Sequence, residues 1–242
     1  MSAIFRHIQS QNSCLNRMGF AMHMQLGRYF IIGCLLLLSS LTYAAEIEKP
    51  LPVKNTVPVQ KAASILVVGD SISAAFGLDK SKGWVALMQR ELGDNYRVIN
   101  ASISGDTTTG GRYRLGKALS THQPVIVIIE LGGNDGLRGT PVRQIRNNLE
   151  AMAVMSQEAG AQVILLGMQI PPNYGDRYTK AFANIYSDLA LQMDLSLVPF
   201  LLEGVAGVEG MMQDDGIHPT ESAQQTMFEQ VDKVLDTLLS AK

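Results

Sequence analysis

Past residue 45 this chain has no cysteine. Its only two, Cys14 and Cys34, fall in an N-terminal segment that reads as a leader. A domain built from the remainder has no disulfide, no thiolate metal site and no cysteine nucleophile. Histidine is nearly as scarce: His7 and His23 share the leader, which leaves His122 and His218. Two well-separated histidines make no metal cluster, and they narrow the search for an imidazole base to two positions. Basic charge is also thin. The formal net charge is −2; Arg6, Arg17 and Arg28 precede Ala45 and no acid does, so without those three arginines the charge is −5. The other lysines and arginines are scattered, which argues against nucleic acid as the main ligand because phosphate binding needs a basic patch.

A long apolar run is missing as well. Arg28 is followed by an apolar stretch from Tyr29 to Leu41 and then by the small residues Thr42, Ala44 and Ala45. That stretch falls short of the ~20 residues of a membrane span and has the layout of a signal peptide, cleaved after Ala44 or Ala45. Ile31-Ile32-Gly33-Cys34 looks like a lipoprotein box, but most of the apolar run follows Cys34, which argues against lipidation. Residues 1–45 are therefore expected to be a signal peptide and the product periplasmic or secreted, without stable membrane insertion. Residues 46–63, with Pro50, Pro52 and Pro58 among charges, read as a flexible linker. Residues 64–242 form the expected folded domain, of ordinary single-domain size.

What is present in that domain is alternation. Apolar, β-branched runs at 64–68, 97–101, 125–131, 163–166 and 196–200 read as strands. Helix-like spacing falls between them at 83–92, 110–120, 141–158 and 177–193. A last helix starts near Glu221, with Thr220 as its cap. Such alternation predicts an α/β fold: a three-layer α/β/α sandwich around a mostly parallel five-stranded sheet. Ligands of such sheets bind beyond the C-terminal strand ends.

Three conspicuous loops leave strands at that edge, and a fourth lies near the C-terminus. Gly69-Asp70-Ser71 follows the first strand. A serine hydroxyl becomes a nucleophile only when a base takes its proton; alone, this tripeptide is also the pattern of a serine in a capped turn. Asp215-Gly216-Ile217-His218-Pro219 supplies an imidazole and, across a glycine turn, a carboxylate able to orient it. His122 precedes a strand and so lies at the wrong end of the sheet. The loops containing Gly105 and Gly132-Gly133-Asn134 offer N–H donors for a developing negative charge.

Together, in this order, the four blocks resemble the SGNH-hydrolase (GDSL) family, over nearly the whole domain. Asn100–Thr107 of this chain, Glu130-Leu131-Gly132-Gly133-Asn134-Asp135-Gly136-Leu137-Arg138-Gly139, Met212–Pro219 and Pro171-Pro172-Asn173-Tyr174-Gly175 are similar to the periplasmic acyl-CoA thioesterase/lysophospholipase/arylesterase subgroup. The resemblance implies a flavodoxin-like SGNH fold. It makes Ser71 the nucleophile, His218 the base and Asp215 its orienter, with oxyanion donors from Ser71, Gly105 and Asn134. It implies substrate contacts by Gly136, Leu137, Arg138, Gly139, Pro171 and Tyr174, the segment 136–141 being a mobile lip hinged at Gly136 and Gly139. It further implies action on a small-molecule acyl ester or thioester without metal or cofactor; nothing in the sequence suggests an obligate partner, so a monomer is expected. Deacetylation of, or acyl transfer to, a cell-envelope glycan or lipid is the alternative on the same scaffold.

Overall fold

The computed structural model describes residues 62–240, so the expected signal peptide and nearly all of the expected linker lie outside the described residues. The described chain alternates strand and helix: β1 (Ala63–Gly69), α1 (Trp84–Leu92), β2 (Tyr96–Asn100), α2 (Thr108–His122), β3 (Ile126–Glu130), α3 (Gly133–Leu137), α4 (Val142–Glu158), β4 (Gln162–Leu166), α5 (Asp176–Met193), β5 (Ser196–Val198) and α6 (Gln224–Ser240). The strands form one sheet in the order β2-β1-β3-β4-β5, every neighbouring pair parallel.

Continuous apolar runs suit strands covered on both faces. Ile65–Val68 in β1 and the residues 126–129 of β3 have no solvent exposure at all. One face is covered by α1 and α6, which pack together; the other by α2, α4 and α5, which pack in sequence. This is the three-layer α/β/α arrangement expected. Chain direction across the sheet reverses between β1 and β3, and at such a switch point the loops diverge and leave a crevice. The loops carrying Ser71 and Asn134 leave those two strands. Among the described residues, no helix is long and apolar enough to cross a membrane.

Four details differ from the expected elements. β5 stops at Val198, because Pro199 has no N–H to continue a ladder. α2 starts at Thr108, two residues early, capped by the Thr107 hydroxyl accepting from the Gly110 N–H at 3.2 Å. The loop after β3 contains a short helix, α3, that its glycines concealed. Thr220 precedes a 3-10 turn, Glu221–Ala223, but its hydroxyl donates to the Gly210 carbonyl instead of capping the turn.

Candidate active site

Ser71 stands two residues beyond β1, and its surroundings begin with Gly69. Gly69 lies in register with Glu130 of β3. A Cβ on Gly69 would fall 2.5 Å from Glu130 Oε2 and 2.7 Å from Ser73 Oγ, so glycine is required for this close approach. Glu130 Oε2 accepts from the Asp70 N–H (3.0 Å), the Ser73 N–H (3.3 Å) and the Ser73 hydroxyl (2.7 Å). Asp70 Oδ1 accepts from the Ile72 N–H at 3.0 Å and so caps the turn that follows β1. Arg114 of α2 adds an outer tie, pairing with Asp106 at 2.7 Å and donating to the carbonyls of Ala101 and Gly69. The exits of β1 and β2 are thereby held together.

His218 and Asp215 come from one local loop. Met212 and Pro219 bridge across it, and the Gln213 N–H donates to the His218 carbonyl at 2.8 Å. Gly216, at φ +65°, makes the turn between them. Asp215 Oδ1 accepts from the N–H groups of Ile217 and His218, both at 2.9 Å, and Oδ2 lies 2.6 Å from His218 Nδ1. These hydrogen bonds, from the His218 ring and then from the backbone, hold the Asp215 carboxyl down to about 2. An ionised carboxylate only accepts, so Nδ1 carries the proton and Nε2 is left as an acceptor. Nε2 is 2.8 Å from Ser71 Oγ. Phe76 lies against the imidazole, ring centroids 4.5 Å apart. The three residues expected to act together therefore meet in one chain of hydrogen bonds. His122 ends α2 at the opposite edge, its carbonyl accepting from the Ser64 hydroxyl.

The expected oxyanion donors occupy three neighbouring loops. The N–H groups of Ser71 and Gly105 have no acceptor among the described residues. Gly105 has φ +78°, a conformation that glycine adopts freely. Asn134, in the first turn of α3, donates one amide N–H to Asp70 Oδ2 at 3.0 Å, which leaves the other free. α3 is anchored behind by Asp135, whose carboxylate accepts from the Thr108 N–H and hydroxyl, each at 2.8 Å. Among the described residues no cluster of histidine, cysteine and carboxylates could hold a metal.

Beside Ser71 opens a cavity of about 340 Å³. Ile72 and Gly133, the chain neighbours of Ser71 and Asn134, line it together with Leu137, Pro171, Met168, Leu201, Leu202 and Ile217. Of the expected substrate residues, Leu137 and Pro171 line it. Tyr174 stands behind, its hydroxyl donating to the Leu137 carbonyl at 2.9 Å. Arg138 reaches the Gly105 carbonyl at 3.3 Å. Gly139, at φ +69°, is open to solvent, whereas Gly136 is buried within α3, where a Cβ would press on Ile170 and Phe182.

Several contributors escaped the sequence reading. Met168, Leu201 and Leu202 come from the β4 and β5 exits, outside every motif quoted from the sequence. Glu130 was placed in a strand and at the head of the Gly-Gly-Asn block but given no role; the available signal was a lone acid ending an apolar run. Burial, followed by the charge of Asp70, pushes the Glu130 carboxyl well above the ordinary range, and burial pushes Asp70 up to about 6.

Comparison with known proteins agrees with this geometry. The family model described as GDSL-like Lipase/Acylhydrolase matches residues 67–226. The chain is 56% identical over 181 residues to Esterase TesA of Pseudomonas aeruginosa, covering 74% of this chain and 90% of the relative. It is 41% identical over 179 residues to Thioesterase 1/protease 1/lysophospholipase L1 of Escherichia coli K12, covering 74% and 86%. The crystal structure of the psychrotrophic esterase EstA from Pseudoalteromonas, inhibited by monoethylphosphonate, superposes with a TM-score of 0.70 at 39% identity, covering 73% of this chain and 98% of that one. Since the matched segment runs from β1 into α6 and spans all four loops, the chain belongs to the GDSL-like lipase/acylhydrolase family.

Proposed function

We propose that the chain hydrolyses acyl esters and thioesters through an acyl-enzyme on Ser71. The observation that carries this reading is the unbroken path from Ser71 Oγ to His218 Nε2 (2.8 Å) and from Nδ1 to Asp215 (2.6 Å). His218 takes the serine proton as Oγ bonds to the carbonyl carbon. The carbonyl oxygen, now negative, is held by the N–H groups of Ser71 and Gly105 and by the Asn134 amide. Protonated His218 then gives that proton to the departing alcohol or thiol as the C–O or C–S bond breaks. Water adds by the same route: His218 takes its proton, the hydroxide oxygen bonds to the acyl carbon, and Ser71 leaves reprotonated.

The acyl group fits the apolar cavity, whose lining includes Ile72 and Gly133, the chain neighbours of Ser71 and Asn134. Relatives named esterase, arylesterase and thioesterase/lysophospholipase support aryl esters, acyl thioesters and lysophospholipids as substrate classes. The leader-like sequence pattern of residues 1–45 supports a periplasmic or secreted location for this reaction. The test is covalent. A nitrophenyl phosphonate is expected to label Ser71 stoichiometrically and stop hydrolysis of nitrophenyl butyrate; a labelled protein that keeps full activity, or label on another residue, would sink the reading. Asn134→Ala is expected to lower kcat by about 10²–10³ with the fold retained, as removal of one oxyanion donor does.

A further inference from the structure

Among the described residues, two hydrogen bonds join the His218 loop, 211–219, to the segment that carries Ser71, 69–79. One is the contact of the reacting groups, Ser71 Oγ to His218 Nε2 at 2.8 Å. The other is made by Gln213, whose Nε2 donates to the Phe76 carbonyl at 2.9 Å. The Gln213 amide is fully committed there. Nε2 also donates to the Pro219 carbonyl at 2.9 Å, and the main-chain N–H of Gln213 donates to the His218 carbonyl at 2.8 Å. A flipped amide would set its oxygen against two carbonyls, so only the nitrogen end fits. On the other side, the Phe76 N–H donates to the Ser71 carbonyl at 3.0 Å. Ser71 and His218 are thus joined twice, once through their side chains and once through Phe76 and Gln213. Gly77 leaves room for this second route: a Cβ on it would lie 2.5 Å from Gln213 Oε1. The Phe76 ring rests on the imidazole, so the residue that Gln213 holds also touches the base.

We propose that Gln213 is a positioning residue for deacylation, holding His218 beside Ser71 while their direct hydrogen bond is broken. The inference rests on the acyl-enzyme reading. Once Ser71 Oγ is bonded to the acyl carbon it carries no hydrogen and has nothing to donate to Nε2. Of the two hydrogen bonds, the one through Gln213 is then left. At that stage His218 must take a proton from water as the hydroxide oxygen bonds to the acyl carbon, and then return it to Oγ. Both transfers need Nε2 within hydrogen-bond reach. A displacement of about 1 Å at this point costs up to about 10²-fold in rate. Acylation begins with both bonds in place, so it depends less on Gln213. The Asp215–His218 pair does not depend on Gln213 at all, since its contacts close within the loop. The Gln213 side chain donates only to main-chain carbonyls, so it acts through position and takes no part in proton transfer.

The experiment compares the wild-type chain with Gln213→Met and Gln213→Glu. Methionine keeps the length without a donor; glutamate keeps the shape but turns acceptor oxygens on two carbonyls. Stopped-flow release of nitrophenol from nitrophenyl butyrate gives the acylation rate, and decay of butyryl-Ser71, followed by mass spectrometry, gives the deacylation rate. Both variants are expected to slow deacylation by about tenfold or more and acylation by less than about threefold. Nitrophenol leaves readily, so deacylation limits turnover and kcat and KM fall together, with kcat/KM within about threefold of wild type. A general loss of structure slows both steps alike. The inference is overturned if the two steps slow by the same factor, or if deacylation stays within about twofold of wild type. The wild-type chain supplies a second measurement that no folding failure of a variant removes. With Ser71 blocked by a phosphonate, the 15N–1H signals of the Gln213 side chain are expected to keep their positions, and collapse to solvent-like shifts overturns the inference. A wild-type chain that forms no butyryl-Ser71 removes the acyl-enzyme reading and this inference together; an acyl-enzyme whose decay is indifferent to Gln213 removes only the inference.

Discussion

Asp215 makes three separate contacts within its loop, one to the His218 ring and two with the backbone N–H groups of Ile217 and His218. Asparagine at this position keeps the two backbone N–H acceptances through its oxygen, but it turns an N–H₂ toward Nδ1. The imidazole must then move its proton to Nε2, where it can no longer take one from Ser71. Asp215→Asn is therefore expected to lower kcat by about 10³–10⁴ with little change in melting temperature, measured by ester hydrolysis beside a thermal melt. The same carboxyl ties stability to acid. Its folded value of about 2 lies below the ordinary 3.8, so its contribution is present above 3.8 and is lost as pH falls through about 2. Because the carboxylate stands largely in water, that contribution is modest.

At the scale of elements, the β3–α3 junction is the tightest construction in the site. Gly132 has φ +123°, and a Cβ there would lie 2.3 Å from the Tyr186 hydroxyl, which donates to the Leu131 carbonyl at 3.0 Å. Gly132→Ala combines backbone strain with overpacking and is expected to cost about 2 kcal/mol or more of stability, read by urea denaturation. It is also expected to lower kcat, since Asn134 is two residues away. The strands were legible because each is a short apolar run, and so were the loops that carry Ser71, Gly105, Asn134 and His218, because their residue types are uncommon together. α3 and the early start of α2 were not legible. Gly-Asn-Asp-Gly and Thr-Thr-Gly-Gly are poor helix formers, and both turns are held by a long-range contact, Asp135 to Thr108. Glu130 was hidden for a similar reason: its partners lie some sixty residues away and become neighbours only when β1 and β3 pair.

At the scale of the molecule, the cavity is assembled from five separated stretches of chain, which is why no local pattern announces it. Ala206 lines it, far in sequence from the Ser71 loop, so Ala206→Phe fills part of the cavity and is expected to lower kcat/KM for octanoyl esters by about tenfold or more while changing that for acetyl esters less, as tested with a nitrophenyl ester series. Global stability carries the signature of the buried acids. Glu130 ionises far more readily in the unfolded chain than in the folded one, and a group so raised favours folding at low pH and loses that contribution as pH rises. Glu130→Gln is expected to melt higher than the parent at pH 8, with the difference shrinking on acidification toward the ordinary glutamate range.

The loop between Met212 and Pro219 has a consequence for how this site can be rebuilt. Base and orienter are closed into a single short segment by contacts within that segment, so the pair travels as a cassette: it could be exchanged between sibling hydrolases in one graft. Ser71 has no such independence, since its neighbours Gly69, Asp70 and Ser73 are tied to Glu130, Arg114 and Asn134 on three other elements. Recombination near the C-terminus therefore preserves chemistry that recombination between β1 and β3 destroys.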